Sequence, residues 1–251
     1  MLPPESNMRR LLLTLPLLLV LPAQAQAELA ILSAGAVEPG LEAAVTSFRQ
    51  LSGNAAQITY ATAPQLRERL LAGEAPDLLI APVALINELV TTGRLGGDRA
   101  TLGRVGIGVA VRPGAPVPDI SDAAALKRAV EQAETVVFNR ASTGQYLERL
   151  FERWGITAAV AAKAKRYATG AEVMQHLLAG NGREIGFAPI TEIRQTAVHF
   201  VGPLPAEVQN YTAYAASLLP GSQPAAAELL RHLAGPVGRA AFEATGVEAM
   251  P

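Results

Sequence analysis

The chain contains no cysteine, which excludes a disulfide framework, a thiolate metal site and a lipid-modified cysteine. Aromatic residues make up only 5% and are scattered, so the stacking platforms that read single strands or sugars are missing. An excess of either charge is missing too. The 21 Lys and Arg stand against 22 Asp and Glu, which leaves no basic footprint for nucleic acid and no polyacidic tail. The three histidines, His176, His199 and His232, lie in or beside apolar segments without His-x-x-x-His or Glu-x-x-His spacing, and neither a metal nor a cofactor is expected. No Gly-x-Ser-x-Gly elbow and no Walker loop occurs. Gly103, Gly106 and Gly108 are wrongly spaced for a dinucleotide fingerprint and have no helix after them. These absences favour a small ligand held by hydrogen bonds.

The one strongly apolar run lies within residues 1–27. Met8-Arg9-Arg10 precedes LLLTLPLLLVLPAQAQA, which has the charged start, short apolar stretch and Ala-x-Ala ending of a secretory leader. Pro16 and Pro22 interrupt the run, and it is shorter than the ~20 residues a membrane span needs. Cleavage after Ala27 is expected, giving a periplasmic chain with no stable membrane insertion. The remainder is long enough for one large domain or two lobes of roughly 100 residues each.

Short β-rich runs then alternate with helical ones, the pattern of an α/β protein with mostly parallel sheets flanked by helices. ELAILS precedes a helix carrying Leu41, Val45, Phe48 and Leu51 on one face, and AAQITYA precedes one carrying Leu66 and Leu70, with Gly53 and Gly73 as stops. PDLLIAP reads as a strand buried on both faces, followed by a helix ending at Gly93. RVGIGVAVRPGAP, residues 104–116, is a crossing segment. Ser121 is the expected N-cap of the next helix, and TVVFNRASTGQYLERLFERWG repeats the strand–turn–helix design of the opening. QNYTAYAASLLPG alternates like a strand that returns the chain to the first lobe. The expected division is residues 28–108 and 205–251 for lobe I, and 109–204 for lobe II. The same alternation also accommodates a single Rossmann-like sheet.

Four strand-to-helix turns are built from small and hydroxyl residues: Ser33–Ala36, Ala61–Ala63, Asn139–Gly144 and Phe187–Thr191. Small side chains leave helix N-terminal N–H groups open, and converging ones suit an anion without a countercharge. Each hydroxyl is equally readable as an ordinary N-cap. Ser33, Ala34, Thr62, Ala63, Ser142, Thr143 and Gly144 are the candidate ligand contacts. Arg140 offers a planar fork for a carboxylate or simply a solvated cation. Tyr146, Pro189 and Tyr211 are further candidates, with Tyr146 alternatively packing against Trp154.

ILSAGAVEPGLEAAVTSFRQLSG, DLLIAPVALINELVTTGRL, RVGIGVAVRPGAPVPDI, QNYTAYAASL and LLRHLAGPVGRAAFEATGV, in that order, resemble the periplasmic molybdate-binding protein family of ABC importers in its broad sense. The resemblance implies a type II periplasmic binding fold with a small anion in an interlobe cleft, and an ABC permease as partner. It also implies that Ser33, the turn of Thr62 and the 140–144 turn hold the oxyanion. Thr62-Ala63-Pro64 departs from the serine-rich turn of molybdate binders, and Pro64 lacks a donor. With Arg140, this makes an organic carboxylate an alternative ligand. The wider family is also similar to aconitate isomerases, which implies an enzymatic alternative with Glu38, Tyr146 and Tyr211 as candidate bases; catalytic residues are otherwise unassigned.

Overall fold

The structure is a computed structural model that describes residues 28–251; the expected leader lies outside the described residues. β1 (Glu28–Ala34) runs into a single 3-10 turn, Gly35–Val37, and then α1 (Glu38–Ser52), with Pro39 in the first turn, where a missing N–H breaks no helical bond. α1 buries Leu41, Ala44, Val45 and Phe48 and ends at Gly53, whose φ of 77° is the left-handed conformation glycine tolerates best. Leu51, expected on the same face, is 75% exposed, because at helical spacing it falls at the edge of that stripe in the last turn. β2 (Ala55–Ala61) with α2 (Ala63–Leu71), and β3 (Leu78–Pro82) with α3 (Val83–Thr91), complete three βα units. β3 is buried at every position, as its unbroken apolar run requires.

β4 (Arg99–Val111) begins before the expected crossing segment and runs for 13 residues. α4 (Ala123–Gln132) is capped by Asp122, whose Oδ1 accepts the Ala125 N–H at 2.7 Å; Ser121 is instead tied to the Asp119 carboxylate through its own N–H. There follow β5 (Thr135–Asn139), α5 (Ser142–Arg153), α6 (Thr157–Ala161), β6 (Ala164–Tyr167), α7 (Gly170–Ala179), β7 (Glu184–Pro189), α8 (Ile190–Arg194) and β8 (His199–Pro203). β9 (Tyr211–Leu218), α9 (Pro224–Ala234) and α10 (Pro236–Ala244) close the chain.

The two lobes share β4. Its first part pairs antiparallel with β9, from Arg99 opposite Ser217 to Gly106 opposite Tyr211, in a sheet ordered β2-β1-β3-β9-β4. From Ile107 it pairs with β7 and from Gly108 with β8, in a sheet ordered β6-β5-β7-β4-β8. β1 is parallel to β2 and β3, and β5 to β6 and β7. The result is a two-lobed α/β fold with curled sheets, rather than one Rossmann-like sheet. The first sheet has a core drawn from residues 29–105 and 214–247. The second has a core on each face, with Val136 and Phe138 on one and Val137 on the other, as strand alternation dictates. Where the crossings meet, the Ile107 N–H donates to Gln209 Oε1 at 3.0 Å and Gln209 Nε2 donates to the Ile107 carbonyl at 3.0 Å, so a side-chain amide substitutes for a ladder partner.

Candidate functional site

A cavity of about 750 Å³ opens between the lobes, at the carboxyl ends of their parallel strands. Its wall comes from Ala34–Ala36 after β1, Ala61–Ala63 after β2, Ala141–Thr143 after β5 and Thr169–Ala171 after β6, with Pro82 and Pro189 ending β3 and β7. Small side chains at these turns keep the wall close to the backbone. The expected turns after β1, β2, β5 and β7 therefore do converge, and the β6–α7 turn joins them.

The first turn of α5 shows how such a wall is held. Asn139, 3% exposed, accepts the Ala141 and Gly144 N–H groups on Oδ1 at 3.0 and 3.2 Å, leaving the Ser142 and Thr143 N–H groups as the orphan donors of the helix start. At α7, Thr169 and Glu172 satisfy each other's N–H groups, a capping box readable in the sequence as Thr-x-x-Glu. At α2 the Thr62 hydroxyl and N–H both donate to Gln65 Oε1 at 2.9 Å.

Of the residues named from the sequence, Ala34, Thr62, Ala63, Ser142, Thr143, Pro189 and Glu38 line the cavity. Others lie outside its wall. Ser33 is fully buried within β1, neither capping a helix nor facing the cavity, and its hydroxyl donates only to the Ala34 carbonyl at 3.2 Å. Arg140 is exposed and outside the wall, its backbone N–H bonded to the Tyr167 carbonyl. Gly144 is a packing glycine: a Cβ there would lie 1.7 Å from the Asn139 carbonyl oxygen. Tyr146 is buried and donates to the Val208 carbonyl at 2.7 Å, while Trp154 packs on Phe151 instead. Tyr211 is 39% exposed beneath the Arg104 guanidinium, 4.1 Å from its ring centre.

The wall is acidic where a cation was expected. Glu38, Glu42 and Glu192 line it, and no Lys, Arg or His does among the described residues. Burial, then the neighbouring Glu42 charge, raises the pH at which Glu38 ionises. Burial, then Glu38, pushes Glu192 up to about 7. Tyr60 donates to Glu42 Oε1 at 2.8 Å, and its own ionisation is pushed up by burial, that hydrogen bond and the two glutamates. Tyr214 is pushed up by burial and Glu192, against a smaller opposite pull from the Ser142 and Thr212 hydroxyls. Glu192 was not among the sequence candidates, although it directly follows the Thr191 turn.

His176 shares a hydrogen bond with Tyr167, and His232 one with Ser47. Among the described residues, no group of three or more His, Cys, Asp or Glu is placed to hold a metal, and no helix is long and apolar enough to cross a membrane.

Two α/β lobes joined by crossing strands, with a ligand-sized cavity at the carboxyl ends of both sheets, define the class as the type II periplasmic-binding architecture. The chain belongs to the family of bacterial extracellular solute-binding proteins, whose family model matches residues 29–248. It is 30% identical over 244 residues to an aconitate isomerase from a Pseudomonas species, covering 92% of each chain. In structure it is similar to the Azotobacter vinelandii periplasmic molybdate-binding protein, with a TM-score of 0.73 and 18% identity over 89% of this chain and 100% of that one. It is also similar to the sulfate-binding protein SubI from Mycobacterium tuberculosis, with a TM-score of 0.70 and 16% identity over 87% of this chain and 85% of that one. At these identities the solved structures establish the fold.

Proposed function

We propose that the chain is a periplasmic binding protein that captures a small organic carboxylate in the interlobe cavity and delivers it to an ABC permease. The observation that carries this reading is the cavity itself: about 750 Å³, walled by small residues and helix starts, with no basic side chain among the described residues. That volume falls in the range of organic-ligand pockets, and orphan N–H groups supply donors for the ligand's carboxylates. A cavity of this size suits a ligand larger than a compact inorganic dianion. The proposed contacts are the N–H groups and hydroxyls of Ser142 and Thr143, the Thr62–Ala63 turn, and the turn after β1.

The full-length likeness to an aconitate isomerase, together with two cavity carboxyls whose ionisation is shifted upward, favours a second reading as a tricarboxylate isomerase. There, Glu38 as carboxylate takes a proton from the methylene carbon, the double bond moves across the allylic unit, and Glu192 as carboxylic acid gives a proton to the far carbon. Nothing is oxidised or reduced, and no group leaves.

Thermal-shift titration with molybdate, sulfate, citrate and cis- and trans-aconitate tests both readings, followed by NMR of any tricarboxylate that binds. Ligand at 100 times its Kd adds about 2.7 kcal/mol of stability. A shift with carboxylates and an unchanged spectrum is expected of the binder; conversion of cis- to trans-aconitate supports the isomerase. A shift with molybdate or sulfate alone refutes both.

A further inference from the structure

Glu192 sits where α8 of lobe II meets the turn before α1 of lobe I. Thr191, the residue before it, donates from Oγ1 to the Ala36 carbonyl at 2.6 Å and so ties α8 of lobe II to the turn before α1 in lobe I. The Glu192 carboxyl then lies between the two walls. Its Oε1 is 3.8 Å from where a Cβ on Gly35 would stand, and its Oε2 is 1.7 Å from where one on Gly170 would stand. Any larger residue at Gly170, the first residue of α7, would occupy the space of the carboxyl. The carboxyl lines the cavity and forms no hydrogen bond or ion pair among the described residues.

The groups facing it offer no positive charge. Glu38 and Glu42 approach from α1 and Tyr214 from β9, while Glu172 of α7 is engaged with the Thr169 N–H. Arg194, on α8 itself, lies against Phe200 with its guanidinium 5.4 Å from the ring centre, outside the cavity wall. β4, β7 and β8, which also pack on α8, send no ionisable side chain into the wall.

An anion entering this cavity meets a second carboxylate with nothing between them to neutralise either charge. Two carboxyl groups at hydrogen-bond distance are stable together when they share a proton, one as donor and one as acceptor. We propose that the Glu192 carboxyl contacts the captured carboxylate directly and is protonated in the complex, so that capture takes up one proton from solution. The inference rests on the carboxylate-capture reading and holds for the binder and the isomerase alike, since it concerns the bound state before any turnover. It makes Glu192 a selector for ligands that accept a hydrogen bond, in a wall whose other donors are uncharged: backbone amides, hydroxyls and the side-chain amides of Gln65, Asn139 and Gln195.

Calorimetric titration with citrate and trans-aconitate, in two buffers of different ionisation enthalpy, counts the protons. For the wild-type protein we expect net uptake approaching one proton at pH 8, and an affinity that falls about tenfold per pH unit above pH 7 to 8, the slope of a single linked proton. Glu192→Gln should bind at pH 8 at least as tightly as wild type, with no proton uptake and a flat pH profile. Glu38→Gln should retain uptake and move the onset of the fall to lower pH. Wild-type binding with no uptake and a flat profile from pH 6 to 9 overturns the inference and leaves carboxylate capture standing. Loss of binding at every pH in a folded Glu192→Gln protein also overturns it, because the carboxylate form would then be required. Failure of the wild type to bind either acid at any pH removes the carboxylate reading and the inference together.

Discussion

In the protein alone, the Glu192 carboxyl faces burial and the charge of Glu38 with no donor to offset them, so it ionises near 7 rather than at its ordinary 4.5. At pH 4 both folded and unfolded chains hold the proton, and the residue contributes nothing to pH dependence. Between 4.5 and about 7 the unfolded chain releases a proton that the folded chain keeps, so stability falls as pH rises, and the penalty is complete above about 7. Its ceiling for a shift of this size is about 3 kcal/mol, reduced by solvent screening because the residue is only partly buried. Glu192→Gln should therefore melt above wild type at pH 8 and together with it at pH 4 in scanning calorimetry; equal melting at both would mean that the carboxyl is not desolvated. None of this was legible in the sequence, where Glu192 is one of 22 acidic residues. Ser33 and Arg140 stood out there because their chemistry suits an anion, yet each lies beside a wall-forming turn and not in the wall. Sequence locates a turn well, but which of its residues faces the cavity depends on where the strand ends, to within one residue.

At the scale of elements, the converging turns were legible because each strand-to-helix junction carries its own small-residue and hydroxyl composition. The turn after β6 was missed, although Thr169 and Glu172 stand at capping-box spacing. The strand before it has only 4 residues, Ala164–Tyr167, with no apolar run to announce it. At α5 the cap is supplied by Asn139, the last residue of the strand, so the hydroxyls of Ser142 and Thr143 are not needed for capping. This arrangement demands glycine at 144, because helix and strand end approach too closely for a Cβ. Gly144→Ala should force α5 away from β5, lowering stability by about 1–3 kcal/mol in urea denaturation. It should also weaken carboxylate binding, since the Ser142 and Thr143 N–H groups move with the helix. Full stability with unchanged affinity would show that the junction relaxes without moving the helix start.

For the whole molecule, the alternation of βα units announced the fold class, and the long Gly-rich run around Gly103–Gly108 announced a crossing. β4 changes partners at Ile107, against an expected lobe boundary after residue 108; the switch residue itself did not show in the sequence, because β-pairing is nonlocal. A contact across the lobes was hidden for the same reason: Thr191 and Ala36 are 155 positions apart. Both are buried, so the Thr191 hydroxyl is a desolvated donor whose removal leaves the Ala36 carbonyl without its partner. Thr191→Val keeps the side-chain shape and removes that donor. The variant should lose about 1–3 kcal/mol of stability. With one fewer bond across the cleft, its lobes should also sample wider openings, increasing the radius of gyration measured by small-angle scattering without ligand. Saturating trans-aconitate, which engages both walls on the reading proposed above, should return the radius to that of ligand-bound wild type, because ligand contacts then supply the bridge the hydroxyl had made. A variant that is destabilised but scatters like wild type with and without ligand would show that Thr191 stabilises its own lobe and leaves the angle between the lobes to the shared strand β4.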